Sequence, residues 1–192
     1  MGIEFELKYR ATPAIQEALL ARFGDGKRIA METTYYDTPD RFLSTRHITL
    51  RRRMENGVSV CTVKTPLDGF GRGEWDVECD NIETAIPILC KLGCGEDLIS
   101  LTACGIIPVC GARFTRLAGT LNAEGCTLEL ALDRGILLGG GREVPLCEVE
   151  VELKEGNEEG ALNFARQLAE TFGLRSEMKS KFRRALDLAK ES

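Results

Sequence analysis

Alternation of apolar and polar residues with a period of two recurs eight times along this chain, and it constrains the fold more than any other feature. Asn56-Gly57 separates two of these runs, and Asn122 to Gly125 separates two others, as expected of hairpin turns. The pattern predicts an antiparallel, mainly β fold of the α+β class. The predicted strands are Ile3–Arg10, Arg28–Asp37, His47–Glu55, Val58–Thr65, Gly73–Asp80, Ile107–Thr120, Gly125–Arg134 and Leu146–Lys154.

Helical patterns occupy the gaps between these runs. Thr12-Pro13 is typical of a helix start, and Gly24 of a helix end. Further helices are predicted at Asn81–Leu92, Gly95–Ala103, Asn157–Phe172 and Lys179–Lys190. Glycines 139 to 141 predict a flexible excursion before the last strand. Because strands run from one end to the other, we expect a single domain over residues 1–192.

Composition excludes several classes of protein. The net charge of −5 over 192 residues argues against a general nucleic-acid binder, which usually carries a basic excess. No apolar run approaches the roughly 18 residues of a membrane span, and no secretory signal pattern opens the chain. The eight scattered cysteines form no CxxC pair and are expected to be free thiols in a reducing cytoplasm.

The charged residues of the strands fall on single faces, opposite apolar ones, and are segregated by sign. Like charges at this spacing destabilise a sheet unless water screens them or counter-charges bind between them. One interpretation is a solvated outer face. The other, which the segregation favours, is a closed eight-stranded barrel with charges lining its interior and helices packed outside. The charged positions are Glu4, Glu6 and Lys8; Arg51 and Arg53; Arg72, Glu74, Asp76 and Glu78; Glu129 and Asp133; and Glu148, Glu150, Glu152 and Lys154.

Such an interior suits a multiply charged ligand with its metal ions. Carboxylate pairs suit Mg²⁺ or Mn²⁺, and arginine and lysine suit phosphate oxygens. The sequence has no P-loop or GxGxxG motif to offer another phosphate site. His47 is the only histidine, and no nucleophilic serine or cysteine is marked near it, so we expect His47 to be structural.

A series of motifs, in order along nearly the whole chain, resembles the CYTH or triphosphate tunnel metalloenzyme superfamily. It begins with the ExExK signature at Glu4, Glu6 and Lys8. The further motifs are Tyr35 to Pro39, Leu50 to Arg53, Thr62 to Lys64, Arg72 to Glu74, Phe114 to Arg116, Glu129 through Leu132 to Gly135, Glu148 to Leu153, and Ser180-Lys181.

The resemblance implies an eight-stranded tunnel, dependence on Mg²⁺ or Mn²⁺, and a substrate that carries a triphosphate. It implies metal binding by Glu4, Glu6, Glu148 and Glu150, with Glu4, Glu6 and Lys8 in catalysis. It implies phosphate binding by Lys8, Arg51, Arg53, Lys64, Arg72, Arg116 and Lys181. Glu74, Glu78, Glu129, Asp133 and Glu152 match interior acidic positions whose roles the resemblance does not divide. Arg52 should point outward by alternation.

Within the family, the second and third strands resemble bacterial inorganic triphosphatases, which cleave tripolyphosphate to pyrophosphate and phosphate. The alternatives are a class IV adenylate cyclase, a thiamine triphosphatase, and a non-catalytic module that binds polyphosphate or nucleotide. The expected partner is a small-molecule triphosphate rather than nucleic acid or membrane. Whether the chain acts with a CHAD domain or another protein partner stays open. Whether it is a monomer or a homodimer also stays open.

Overall fold

The computed structural model describes residues 2–3, 5–66, 72–94 and 97–190, with side chains described from residue 5 onward. Its described part contains ten strands, eight of them close to the predicted runs. The strands are β1 (Gly2–Ile3), β2 (Glu6–Arg10), β3 (Lys27–Asp37), β4 (Thr49–Glu55), β5 (Val58–Pro66), β6 (Arg72–Glu78), β7 (Ile107–Ala123), β8 (Cys126–Gly139), β9 (Arg142–Glu155) and β10 (Arg175–Ser176).

All ten strands belong to one antiparallel sheet, in the order β1-β6-β5-β4-β3-β7-β8-β9-β2-β10. The prediction of an antiparallel, mainly β fold is confirmed. The predicted closed barrel is not, because the hydrogen-bonded order of the strands is open. The predicted first strand is divided into β1 and β2. β1 pairs with β6, and β2 pairs with β9 across the other side of the sheet. The N-terminal segment therefore has a strand on each side of the ladder.

Three hairpin turns place two successive residues at positive φ, as a two-residue type I′ turn requires. Asn56 and Gly57 have φ of 49° and 90°, and Glu124 and Gly125 have 53° and 72°. Gly140 and Gly141, at 57° and 73°, form a third turn, and Gly139 pairs directly with Arg142. The prediction of a flexible excursion there was wrong, because glycine also supplies the left-handed conformation of a tight hairpin.

Six helices flank the sheet in the described part of the chain. Thr12, Asn81 and Asn157 cap the first, third and fifth by accepting a backbone N–H with their side chains. None of the described helices is long and apolar enough to cross a membrane. The helices are α1 (Pro13–Phe23), α2 (Phe42–Thr45), α3 (Ile82–Lys91), α4 (Leu98–Leu101), α5 (Glu158–Phe172) and α6 (Lys181–Lys190).

The apolar faces of the strands point toward the helices. Leu128 of β8 and Val149 of β9 pack with Leu19 of α1 and Phe164 of α5 in one core. A second core joins α3 and α4 to β4, β5 and β6 through residues such as Leu50 and Trp75. Because side chains alternate along a strand, charged residues such as Arg51, Arg53 and Glu150 face the opposite side. On that side Ala185 of α6 packs with Met31 and Phe114, and the rest of the charged face forms a site.

Candidate functional site

A cavity of about 480 Å³ lies on the charged face of the sheet. Strands β2 to β9 and the start of α6 all contribute side chains to its lining. Four of its cations come from β4, β5 and β6, which we call the basic wall, and four of its carboxylates come from β2, β8 and β9, which we call the acidic wall. Each wall also carries charges of the other sign. The charged stripes therefore line a concave site, which supports the interior interpretation over the solvated outer face.

The basic wall is held together by a shared carboxylate. Glu74 of β6 accepts from Nη2 of Arg51 at 3.1 Å, and its other oxygen lies 3.1 Å from Nζ of Lys64. Nη2 of Arg72 donates to the carbonyl oxygen of His47 at 2.9 Å and to Oγ1 of Thr49 at 3.0 Å. These contacts orient three cations along one wall.

Arg53 lies beside this group on the same face of β4. Its guanidinium pairs with Glu55, and its buried Nε makes no hydrogen bond within the described residues. Burial, together with the neighbouring Arg51 cation, lowers the pKa of Arg53. A partly buried cation with an unused donor and a like-charged neighbour is suited to binding an anion.

Three carboxylates lie in a row across the acidic wall. Glu6 of β2 is directly opposite Glu152 of β9, which is directly opposite Glu129 of β8. Lys8 pairs with Glu6 at 2.7 Å, and Lys154 lies 2.7 Å from Glu152 and 3.9 Å from Glu129. Directly opposed like charges destabilise a sheet unless cations compensate them. The row thus offers oxygen ligands at a place that favours positive charge.

A second acidic group, deeper in the structure, already contains a cation. Asp133, Glu148 and Glu150 each offer an oxygen, and these oxygens lie within 4.8 Å of one another, close enough to bind one metal ion. Nζ of Lys181 contacts Asp133 at 2.7 Å, Glu150 at 2.6 Å, and Glu148 closely. A metal ion bound by all three would compete with this ammonium for the same oxygens.

Two arginines complete the deep group, which we call the buried ion cluster and define as Arg116, Asp133, Glu148, Glu150, Lys181 and Arg184. Arg116 donates to both oxygens of Asp133, at 2.8 and 2.7 Å, and also contacts Glu150. Arg184 contacts the other oxygen of Glu148. Each buried charge therefore has at least one opposite charge beside it, as burial demands.

The pKa values of the two glutamates in this cluster are shifted in opposite directions. Burial alone would raise the pKa of Glu150, but Lys181, Arg116 and Lys8 hold it well below its ordinary value. For Glu148, which is 0% exposed, burial prevails and the pKa is raised. Burial would lower the pKa of Lys181, yet Glu150, Asp133 and Glu148 together raise it. These pKa directions favour an ammonium at Lys181 and an ionised Glu150 as its counter-ion.

In the motif from Tyr35 to Pro39, Asp37 has a structural role. Its fully buried carboxylate accepts backbone N–H groups from Thr38, Leu43 and Ser44, at 2.8, 2.9 and 3.2 Å. These bonds fix α2 at the end of β3. Tyr35, two residues earlier, lines the cavity with its ring 5.0 Å from that of Phe182.

The structure brings most of the predicted site residues together, whereas their individual roles stay predictions. Asp133 and Glu148 lie behind the cavity in the buried ion cluster, Glu78 is exposed near the end of β6, and Glu4 lies outside the described residues. Arg52 donates to the carbonyl oxygen of Asp80 and does not line the cavity. The lining residues among the predicted set are Glu6, Lys8, Arg51, Arg53, Lys64, Arg72, Glu74, Arg116, Glu129, Glu150, Glu152 and Lys181.

Sequence reasoning missed contributors that carry no motif. Glu55 and Thr49 line the cavity from β4, and Arg184 compensates Glu148 from α6. Glu55 continues the alternation of Arg51 and Arg53. The two-residue period of the strand could therefore have identified Glu55 as a lining residue. For Arg184 the sequence offers only its spacing of three from Lys181, which places both on one side of a helix.

The chain is similar in sequence to known proteins. The CYTH domain family model matches residues 2–186, nearly the whole chain. An inorganic triphosphatase from Haemophilus influenzae is 30% identical over 174 residues, which are 86% of this chain and 49% of that protein. The chain therefore spans about half the length of this curated relative.

Two solved structures show the same fold at low identity. A putative adenylyl cyclase from Hippeastrum, described as having a dominant triphosphatase activity, superposes with a TM-score of 0.68 at 19% identity, covering 94% of this chain and 93% of that one. A putative adenylate cyclase from Bacillus halodurans superposes with a TM-score of 0.66 at 16% identity, covering 95% and 96%. With a family match from residue 2 to residue 186, and with cations and carboxylates lining one cavity, the chain belongs to the CYTH domain family.

Proposed function

We propose that this chain hydrolyses inorganic triphosphate to pyrophosphate and phosphate in its charged cavity, with Mg²⁺ or Mn²⁺ as the cofactor. The observation that carries the proposal is that one cavity of about 480 Å³ is lined by both a group of cations and a group of carboxylates. The 30% identical relative named as an inorganic triphosphatase supports the choice of reaction.

The basic wall accounts for substrate binding. Arg51, Arg53, Lys64 and Arg72 present cations from three neighbouring strands, so successive phosphoryl groups of one chain each meet a positive charge. Arginine binds phosphate through two parallel N–H donors, and lysine through a point charge. The substrate displaces the internal pairing of Arg51 and Lys64 with Glu74, which acts as the counter-ion of the empty wall.

In this proposal the acidic row supplies ligands for a divalent metal ion, while among the described residues the three carboxylates with oxygens within 4.8 Å of one another are Asp133, Glu148 and Glu150. Glu6, Glu152 and Glu129 supply carboxylate oxygens from three adjacent strands, and the predicted ligand Glu4 would precede them on the N-terminal segment. Hard cations such as Mg²⁺ prefer this donor set and are usually shared with substrate phosphates. When bound, the metal ion neutralises charge on the phosphate oxygens.

The chain's own residues account for the rest of the reaction. Glu6 orients the attacking water through a hydrogen bond, Lys8 pairs with Glu6 and holds its carboxylate in place, and the arginines hold the phosphate chain in line. Water attacks the terminal phosphorus, the bond to the bridging oxygen breaks, and pyrophosphate leaves with the electron pair of that bond, while one proton of the attacking water passes through solvent to the pyrophosphate. No covalent enzyme intermediate is needed.

We also propose that the N-terminal segment closes the sheet into a tunnel. β1 bonds to β6 and β2 bonds to β9, and only residues 4 and 5 separate the two strands. Because each residue spans at most about 3.6 Å, the strands that pair with β1 and β2 are held on either side of this short link. The substrate would then be enclosed by walls of both signs.

The test is an assay of phosphate and pyrophosphate release from tripolyphosphate, ATP and thiamine triphosphate, with Mg²⁺ or Mn²⁺ and with EDTA. Metal-dependent cleavage of tripolyphosphate in preference to the others is the expected result. Formation of cyclic AMP from ATP would assign the chain to the cyclase alternative. No turnover of any substrate, with retained binding of tripolyphosphate, would leave a binding module.

A further inference from the structure

Glu177 is a buried carboxylate that no sequence motif marks. It follows β10 and precedes α6, outside the cavity lining, and only 3% of its side chain is exposed. A charge in such a place needs partners, because an isolated buried carboxylate is strongly disfavoured. Its partners connect two elements of the candidate site.

The first connection runs to β2, the strand of Glu6 and Lys8. Backbone N–H of Glu177 donates to the carbonyl oxygen of Lys8 at 2.8 Å, and Nε of Arg10 donates to Oε2 of Glu177 at 2.6 Å. Arg10 is directly opposite Glu148 in the ladder, yet its guanidinium pairs with Glu177. Glu177 thus contacts β2 through both its backbone and its side chain.

The second connection runs to α6. The Oε1 atom of Glu177 accepts the N–H of Lys179 at 2.9 Å, and Oε2 lies 3.4 Å from Nη1 of Arg184. Arg184 contacts Glu148 with its other terminal nitrogen. One guanidinium therefore links Glu177 to the buried ion cluster.

These contacts form a continuous series of alternating charges from the surface to the cavity. Arg10, Glu177, Arg184, Glu148 and Lys181 follow one another, each in contact with the next. Lys181 ends the series in the cavity against Glu150. Because α6 begins at Lys181, the position of this ammonium depends on how the start of the helix is held against β2.

We propose that Glu177 is a positioning residue that holds the start of α6 against β2 and so places Lys181 in the cavity. The inference rests on the proposed function where it concerns turnover, and on the contacts alone where it concerns the helix. Glu177 does not line the cavity, so its effect is transmitted through Arg184 and the helix backbone.

The test variant is Glu177→Gln, which keeps the shape and the acceptor for Lys179 but removes the charge that Arg10 and Arg184 share. Hydrogen exchange of the α6 amides, measured without substrate, should become about tenfold faster, while exchange in β4 to β6 stays as in wild type. With tripolyphosphate and Mg²⁺, kcat should fall about tenfold and KM should change less than about threefold, because the basic wall is untouched.

Asp187→Asn is the matched control. Asp187 also lies on α6 and pairs with Lys179 at 2.8 Å and Arg183 at 3.2 Å, but it has no contact with the buried ion cluster. It should leave α6 exchange and kcat within about twofold of wild type. The variants Glu177→Gln and Arg10→Gln should be non-additive in kcat when combined, since both weaken the same link.

Unchanged α6 exchange in Glu177→Gln would overturn the proposal whether or not the chain hydrolyses triphosphate. Faster exchange with unaltered kcat would also overturn it, because the helix would then be anchored without positioning the reaction. If wild type hydrolyses no triphosphate, the proposed function fails, and the exchange measurement still decides whether Glu177 holds α6.

Discussion

Lys181 of α6 and Glu150 of β9 form a buried ion pair, with Nζ and Oε1 2.6 Å apart, at the inner end of the cavity. The pair joins the last helix to the acidic side of the sheet. Lys181 also lies 5.3 Å from the ring centroid of Phe114, which favours a cation at the same place. The inner end of the cavity is therefore built from an ammonium and its counter-ions before any ligand arrives.

Replacing Lys181 by methionine should destabilise the protein strongly. The change leaves Asp133, Glu148 and Glu150 without their shared ammonium, and breaking a buried ion pair costs about 3–5 kcal/mol. Urea unfolding at pH 7 measures the loss. Lys179→Met removes an exposed ion pair with Asp187 and should change the free energy of unfolding by no more than about 0.5 kcal/mol. Equal effects of the two changes would contradict the buried ion cluster.

Arg53 and Arg52 are neighbours on β4 that face opposite sides, which makes them a matched pair. Arg53→Met should raise KM for tripolyphosphate about tenfold or more, because it removes a cation that lines the cavity and that we propose to bind phosphate. Arg52→Met should change KM less than about twofold, since Arg52 contacts the carbonyl oxygen of Asp80 and lies outside the cavity. Steady-state kinetics at fixed metal concentration measures both. A larger effect for Arg52 would reverse the assignment of the two faces.

Glu6→Gln should reduce metal-dependent turnover of tripolyphosphate by about a hundredfold or more, because it removes the residue that we propose as a metal ligand and as the group that orients water. Tripolyphosphate should still bind, since the basic wall is unchanged, and calorimetry in EDTA measures that binding. Glu143→Gln is the control, because Glu143 pairs with Arg113 at 3.0 Å in an exposed place. Normal turnover in Glu6→Gln would exclude Glu6 from the metal and water site.

Ligand should stabilise the folded state. The empty cavity holds like charges close together, so tripolyphosphate with Mg²⁺ or Mn²⁺ at about 100 times its Kd should add about 2.7 kcal/mol to the free energy of unfolding. Thermal melts with and without both ligands measure the shift. A melting temperature that does not respond to saturating ligand would argue against a triphosphate site in this cavity.

The pH dependence of stability has a defined sign at Glu177. Burial alone would raise the pKa of Glu177, but hydrogen bonds from Lys179 and Arg10 and the charge of Arg184 lower it below the ordinary value of 4.5. A lowered pKa in the folded state contributes stability that is present above the unfolded-state pKa and is lost as pH falls through the folded-state pKa. Urea unfolding from pH 7 to pH 3 should therefore show a smaller loss on acidification in Glu177→Gln than in wild type. An equal loss in both would contradict the lowered pKa.

Alternation in the sequence determined which residues share a face, because the two-residue period of a strand is a local property of the backbone. It assigned Arg51 and Arg53 to one face of their strand and Arg52 to the other. It likewise assigned Glu150 and Val149 to different faces. Turn chemistry was equally local at Asn56-Gly57, where both residues take positive φ. Gly140 and Gly141 show the limit of such reasoning, since glycine permits both a mobile loop and a tight turn.

Only the tertiary structure decided which charges meet. Lys181 follows Glu150 by 31 residues, and Glu177 follows Arg10 by 167, so no local period relates them. Their contacts depend on strand order, on the register of β2 with β9, and on the packing of α6 against the sheet. The open order of the sheet was likewise invisible to alternation, which describes one strand at a time. Local backbone geometry sets the faces, and long-range packing sets the partners.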